Sequence, residues 1–125
     1  MSRAALGLAS IGSLMGAAGV ALAAIAAHKE GGELGRTASL FLMIHAAALI
    51  GVSAHGERAP RALLIAAYAL AVGVLLFAGD LTSLVFSGAK LFPYAAPIGG
   101  SLMIFSWAAL AVVFAAGLWG AKGRR

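Results

Sequence analysis

The chain has 125 residues, of which 62% are hydrophobic and 10% charged, with a net charge of +5 and no cysteine. Soluble domains run near 45–50% apolar and about 25% charged, so a soluble globular domain is excluded, as are disulfide frameworks, thiolate metal sites and thiol catalysis. No basic face with interleaved aromatics points to nucleic acid, and cationic loops beside anionic lipid headgroups account for the charge.

The length accommodates about four membrane spans of ~20 residues in a single domain, 1–125, with no room for a soluble domain beside them. The predicted first span covers residues 5–27, behind Met1-Ser2-Arg3. A cationic start followed by Ala24-Ile25-Ala26 also fits a cleaved leader. The apolar run is longer than a leader's and long enough to cross, which favours a retained span. Gly12, Gly16 and Gly19 are its candidate packing positions, and Gly12 and Gly16 form a GxxxG pattern that lets two backbones approach closely. Packing within the chain is the simpler use of this pattern, a homodimer seam the alternative.

His28 to Arg36 forms the first loop, where Gly31-Gly32 breaks the helix. The second span covers residues 37–54 and carries His45 about 12 Å from Thr37. A histidine at that depth is typically neutral and hydrogen-bonded to a neighbouring helix, the alternative being a proton relay or a ligand contact. The second loop follows, with Pro60 ending one helix or starting the next.

The third span covers 62–80 and contains Asp80, set between Leu75-Leu76-Phe77 and Leu84-Val85-Phe86. A carboxylate at the bilayer centre costs roughly 2.5–3.5 kcal/mol on insertion scales. At about 27 Å along the helix axis, Asp80 instead falls near the far side of a ~30 Å core. Residues 81–90 either continue the span or turn after Gly79 into a short interfacial helix, and the glycine favours the turn. The fourth span covers 97–119 and opens on Pro97-Ile98-Gly99-Gly100, where the proline suits a first turn and the paired glycines permit a close crossing. Trp119 and the cationic tail Lys122, Arg124 and Arg125 form an interfacial anchor, and Trp107 lies deeper as a packing residue.

With four spans, Arg3, Arg58, Arg61, Lys122, Arg124 and Arg125 share one side, while Lys29, Arg36 and Lys90 share the other. The positive-inside rule then puts both termini in the cytoplasm. His28 and Asp80 fall near the opposite face together with Arg36. Asp80 has candidate partners in His28, in Arg36, or in backbone N–H groups near Pro97 and Gly99. A structural polar clasp is one reading of Asp80, His28 and His45; a route for a proton, a cation or a solute is the other.

Several motifs occur in a matching order. They are Gly16-Ala17-Ala18-Gly19-Val20 leading to Ala26-Ala27-His28, His45-Ala46, Leu76-Phe77-Ala78-Gly79-Asp80, and Leu91-Phe92-Pro93-Tyr94-Ala95-Ala96-Pro97-Ile98-Gly99-Gly100 followed by Trp107. Together they resemble the small bacterial inner-membrane proteins of domain-of-unknown-function family 423, over about residues 6–114. The resemblance implies a four-span inner-membrane protein with no established activity, with matches at His28, His45, Pro97, Gly99 and Gly100. The sequence departs from the pattern at Ala23, Ala26 and Ser106, and Asp80 matches only a subset of members.

No Ser/His/Asp set in a plausible order, His-x-x-x-His pair, carboxylate-rich metal site or phosphate-binding Gly-x-x-x-x-Gly-Lys-[Ser/Thr] loop is present. The expectation is therefore an all-α integral membrane protein, a four-helix bundle with short loops, that is not an enzyme and needs neither cofactor nor metal. Its expected partners are the bilayer itself and either further copies of the chain or a larger membrane complex. The alternative is a minimal oligomeric transporter or channel built around Asp80 and the membrane histidines.

Overall fold

In the computed structural model, residues 1–29 and 32–123 are described, and Glu30, Gly31 and the tail residues Arg124 and Arg125 lie outside them. Four helices follow one another: α1 (Arg3–Ala27), α2 (Glu33–Ser53), α3 (Arg61–Ser87) and α4 (Ala95–Lys122), with a single 3₁₀ turn at Gly56–Arg58 between α2 and α3. All four are long and apolar enough to cross a membrane. The helices outlast the apolar runs at several ends, because backbone groups at the membrane surface are still best paired along the helix.

The boundaries have local causes. The Ser2 hydroxyl accepts the Ala5 N–H at 3.1 Å and caps α1. Gly32 opens α2 so tightly against the Ala26 carbonyl that a Cβ there would collide with it. Pro60, extended at φ −63° and ψ 150°, starts α3. The favoured turn after Gly79 is not what forms. Instead α3 runs unbroken through Gly79 and Asp80 to Ser87, and the chain reverses at Gly88. Gly88 adopts φ 68°, a left-handed conformation that glycine takes without steric cost, and returns its N–H to the Leu84 carbonyl at 3.0 Å. Tyr94 also has φ 67° and stands at the N-cap of α4, three residues before Pro97 in the first turn.

α1 and α2 form one antiparallel hairpin, α3 and α4 a second, and the hairpins join through α2 and α3. Small residues set each seam. A Cβ on Gly12 would sit 3.1 Å from the Ala46 carbonyl oxygen, and one on Gly19 2.7 Å from Met43 and 3.2 Å from the Ser39 carbonyl oxygen. Gly16 is looser, at 3.6 Å from Ala46. The GxxxG of α1 is thus spent on α2, inside the chain. On the other hairpin, a Cβ on Gly99 would lie 2.6 Å from both the Gly73 carbonyl oxygen and the Phe77 nitrogen. Gly100 takes no part in that crossing, since a Cβ there meets nothing within 4 Å. One residue of helix rotates a side chain by about 100°, so only one of two adjacent glycines can face α3.

Polar bonds tie the seams further. The Ser39 hydroxyl donates to the Gly19 carbonyl at 2.8 Å, and the Tyr68 hydroxyl to the Ala4 carbonyl at 2.7 Å. The core runs through Leu8, Leu49, Leu63, Leu70 and Val74, all buried. α4 joins this core through Met103 and Leu110 but is the least covered helix. Only 17% of its most apolar stretch is buried, against 44% for α2 and for α3.

Candidate functional site

His45 lies near the middle of α2 and is 7% exposed. Its ring is held from both sides. The indole N–H of Trp107 on α4 points at Nε2 at 3.1 Å, and Nδ1 lies 2.7 Å from the Phe41 carbonyl oxygen one turn back. An indole N–H can only donate, so Nε2 accepts and Nδ1 carries the proton to the carbonyl. The neutral ring therefore has both nitrogens paired. Phe41 stacks on the ring at 5.7 Å between centroids, Phe77 of α3 packs on Phe41 at 4.7 Å, and the Trp107 ring lies tilted to the imidazole at 5.9 Å. One aromatic run thereby links α2, α3 and α4.

Asp80 is 1% exposed. Its Oδ1 accepts the Leu91 N–H at 2.8 Å, from the connection that folds back over the end of α3. Leu91 also lays its side chain across Gly79, where a Cβ would stand 3.3 Å from it. The partner is thus neither His28 nor Arg36, and it precedes the expected N–H groups near Pro97 and Gly99. Asp80 Oδ2 and the Ser106 hydroxyl are the buried side-chain polar atoms without a partner among the described residues.

His28 takes no part in either cluster. It is exposed at the end of α1, with its backbone N–H on the Ile25 carbonyl at 3.1 Å. Next to it, Lys29 reaches the Val85 carbonyl at 3.3 Å and lies over the Phe86 ring at 4.9 Å, joining the ends of α1 and α3. No group of three or more His, Cys, Asp or Glu side chains able to hold a metal occurs among the described residues.

Trp107, Ser39 and Tyr68 carry interhelical bonds that the linear reading passes over. Trp107 had a usable signal, since a deep indole N–H needs an acceptor and His45 sits at comparable depth. Ser39 and Tyr68 had none beyond being polar in apolar segments.

Chemically, the His45 cluster has no free donor or acceptor on the ring, while the Asp80 cluster has one open carboxylate oxygen. Grooves of ≈ 400 Å³ beside His45 and Trp107, and ≈ 540 Å³ between α3 and α4, open outward and are walled almost wholly by apolar side chains.

The sequence profile described as "Protein of unknown function (DUF423)" matches residues 15–100. A UPF0382 membrane protein from Haemophilus influenzae is 30% identical over 71 residues, and the alignment covers 57% of each chain. The chain thus spans little more than half the length of that relative. No solved structure matches.

Proposed function

This chain belongs to the DUF423 family of membrane proteins of unknown function, and we propose that its role is to pack against other membrane helices, as a scaffolding or complex-associated component. The observation that carries this reading is α4, which leans on α3 and leaves most of its length uncovered. Its outward side presents Ser101, Ala108, Ala111 and Ala115, all exposed. Small residues at such spacing allow close helix approach where no hydrophobic force operates between helices. The interior polar groups suit the same role, because His45 and Asp80 are bonded within the chain.

The reading sets the protein in the bacterial inner membrane with both termini cytoplasmic, supported by the Lys and Arg distribution. Because the chain lacks cysteine, single cysteines can be introduced without background. Cysteines at Ala108 and Ala115 should form crosslinks in native membranes, to a second copy or to another membrane protein, while one at Val20 on α1 should not. A monodisperse monomer in lipid discs, with no crosslink at either α4 position, would overturn the proposal.

A second reading, a minimal oligomeric transporter, is favoured by one observation, the open Oδ2 of Asp80. It requires proton or cation flux in proteoliposomes that Asp80→Asn abolishes. Flux equal to that of empty liposomes removes it.

A further inference from the structure

We infer that the groove between α3 and α4 is a binding site for one acyl chain of an anionic phospholipid, with the lipid headgroup at Arg61. The groove arises from the crossing that Gly73 and Gly99 enforce. The helices touch there, and toward the start of α3 small side chains, the alanines at 62, 66, 69 and 109, leave a gap between them unfilled. The resulting volume is ≈ 540 Å³. The walls are apolar apart from Ser106, whose hydroxyl is buried away from the open surface.

Depth selects the occupant. The lining runs from Ala62 to Ala69 on α3 and from Leu102 to Val113 on α4, about 10–16 Å at 1.5 Å per residue. That is roughly one leaflet of a ~30 Å core. A partner helix would need a channel across the whole thickness, and the glycine crossing blocks it. A single hydrocarbon chain needs only the one leaflet.

The open end of the groove lies at the membrane surface. Val113 lines it, and the next residue, Phe114, packs on His55 of the α2–α3 connection at 5.8 Å. Arg61 precedes Ala62 at this end, on the same helical row as the lining residues Ile65 and Ala69. Arg61 and Arg58 are both exposed here. A cation at the surface end of an apolar slot one leaflet deep complements a phosphate attached to an acyl chain.

The test is native mass spectrometry of the purified protein titrated with phosphatidylglycerol or with phosphatidylcholine of identical chains. One phosphatidylglycerol should bind about fivefold more tightly than phosphatidylcholine, the effect of one cation near a lipid surface. Arg61→Gln should remove that preference, and Ala69→Phe should remove the site for both lipids. If Ala69→Phe fails to fold, Ala62→Phe at the exposed mouth replaces it. A photo-crosslinker at Ile65 in native membranes should yield lipid adducts. Equal affinity for the two lipids, a selective site that survives the groove-filling variant, or an Ile65 adduct to another protein would each overturn the inference. Crosslinking at Ala108 reports separately on the outer side of α4.

Discussion

The Trp107 indole on α4 donates to Nε2 of His45 on α2, a bond between residues 62 positions apart in the chain. It is the direct side-chain hydrogen bond by which the outlying α4 holds the α1–α2 hairpin. Because Nε2 accepts from the indole and Nδ1 donates to Phe41, the pair defines a single tautomer.

Trp107→Phe keeps an aromatic ring but leaves Nε2 unpaired. It should lower stability in detergent by about 1–2 kcal/mol, measured by reversible denaturation in SDS mixtures. In a His45→Phe background the same change should cost less, with a coupling of about 0.6 kcal/mol, the average for hydrogen bonds between membrane helices, and no more than about 1.7 kcal/mol. Strict additivity of the two substitutions would show that the bond contributes nothing.

Asp80 holds the α3–α4 connection through the Leu91 N–H. Asp80→Ala should destabilise by about 1–3 kcal/mol, since that N–H loses its acceptor, and amide exchange at Leu91 should accelerate. Asp80→Asn keeps an acceptor oxygen and should lose less. Unchanged exchange at Leu91 in Asp80→Ala would contradict the clasp. An Asp80→Asn variant more stable than wild type would mean that the acid is retained for something other than stability, and would strengthen the transport reading.

Gly99 and Gly100 make a matched pair. Gly99→Ala drives a methyl to 2.6 Å from backbone atoms of Gly73 and Phe77, and should cost about 1–3 kcal/mol through overpacking. Gly100→Ala enters open space and should be neutral or stabilise by up to about 1 kcal/mol, through helix propensity. Thermal unfolding of the two variants in one detergent decides the matter. Equal effects would place the crossing elsewhere.

Orientation is testable with the same cysteine-free background. Cysteines at Ala59 and Ala121 should react with an impermeant maleimide only after the cytoplasmic side is opened, and one at Ala89 should react from outside intact cells. The reverse pattern would invert the topology drawn from the Lys and Arg counts.

Much of the architecture was legible in the linear chain. Four apolar runs each about as long as a bilayer core is thick, with short polar breaks, leave helices as the spanning solution, because each backbone group must be paired without water. The small residues of the first span announced a close seam, and Asp80 and His45 announced themselves by polarity alone. The choice of partners was not legible. Whether Gly12 faces α2 or a second copy, and whether Gly99 or Gly100 meets α3, depends on helix rotation, which composition does not encode.

The sequence by itself determined the class of the protein, the number of its helices and the polar residues that had to be satisfied within the apolar phase. Tertiary structure decided who satisfies them. Trp107 of α4 meets His45, and the Leu91 N–H rather than His28 or Arg36 meets Asp80. The α3 helix continues past Gly79 to reverse at Gly88, so the connection folds back within reach of the carboxylate. These outcomes turn on rotations of a few tens of degrees and shifts of a few ångströms. Hydrogen bonds and glycine contacts are sensitive to such changes, and hydropathy is blind to them.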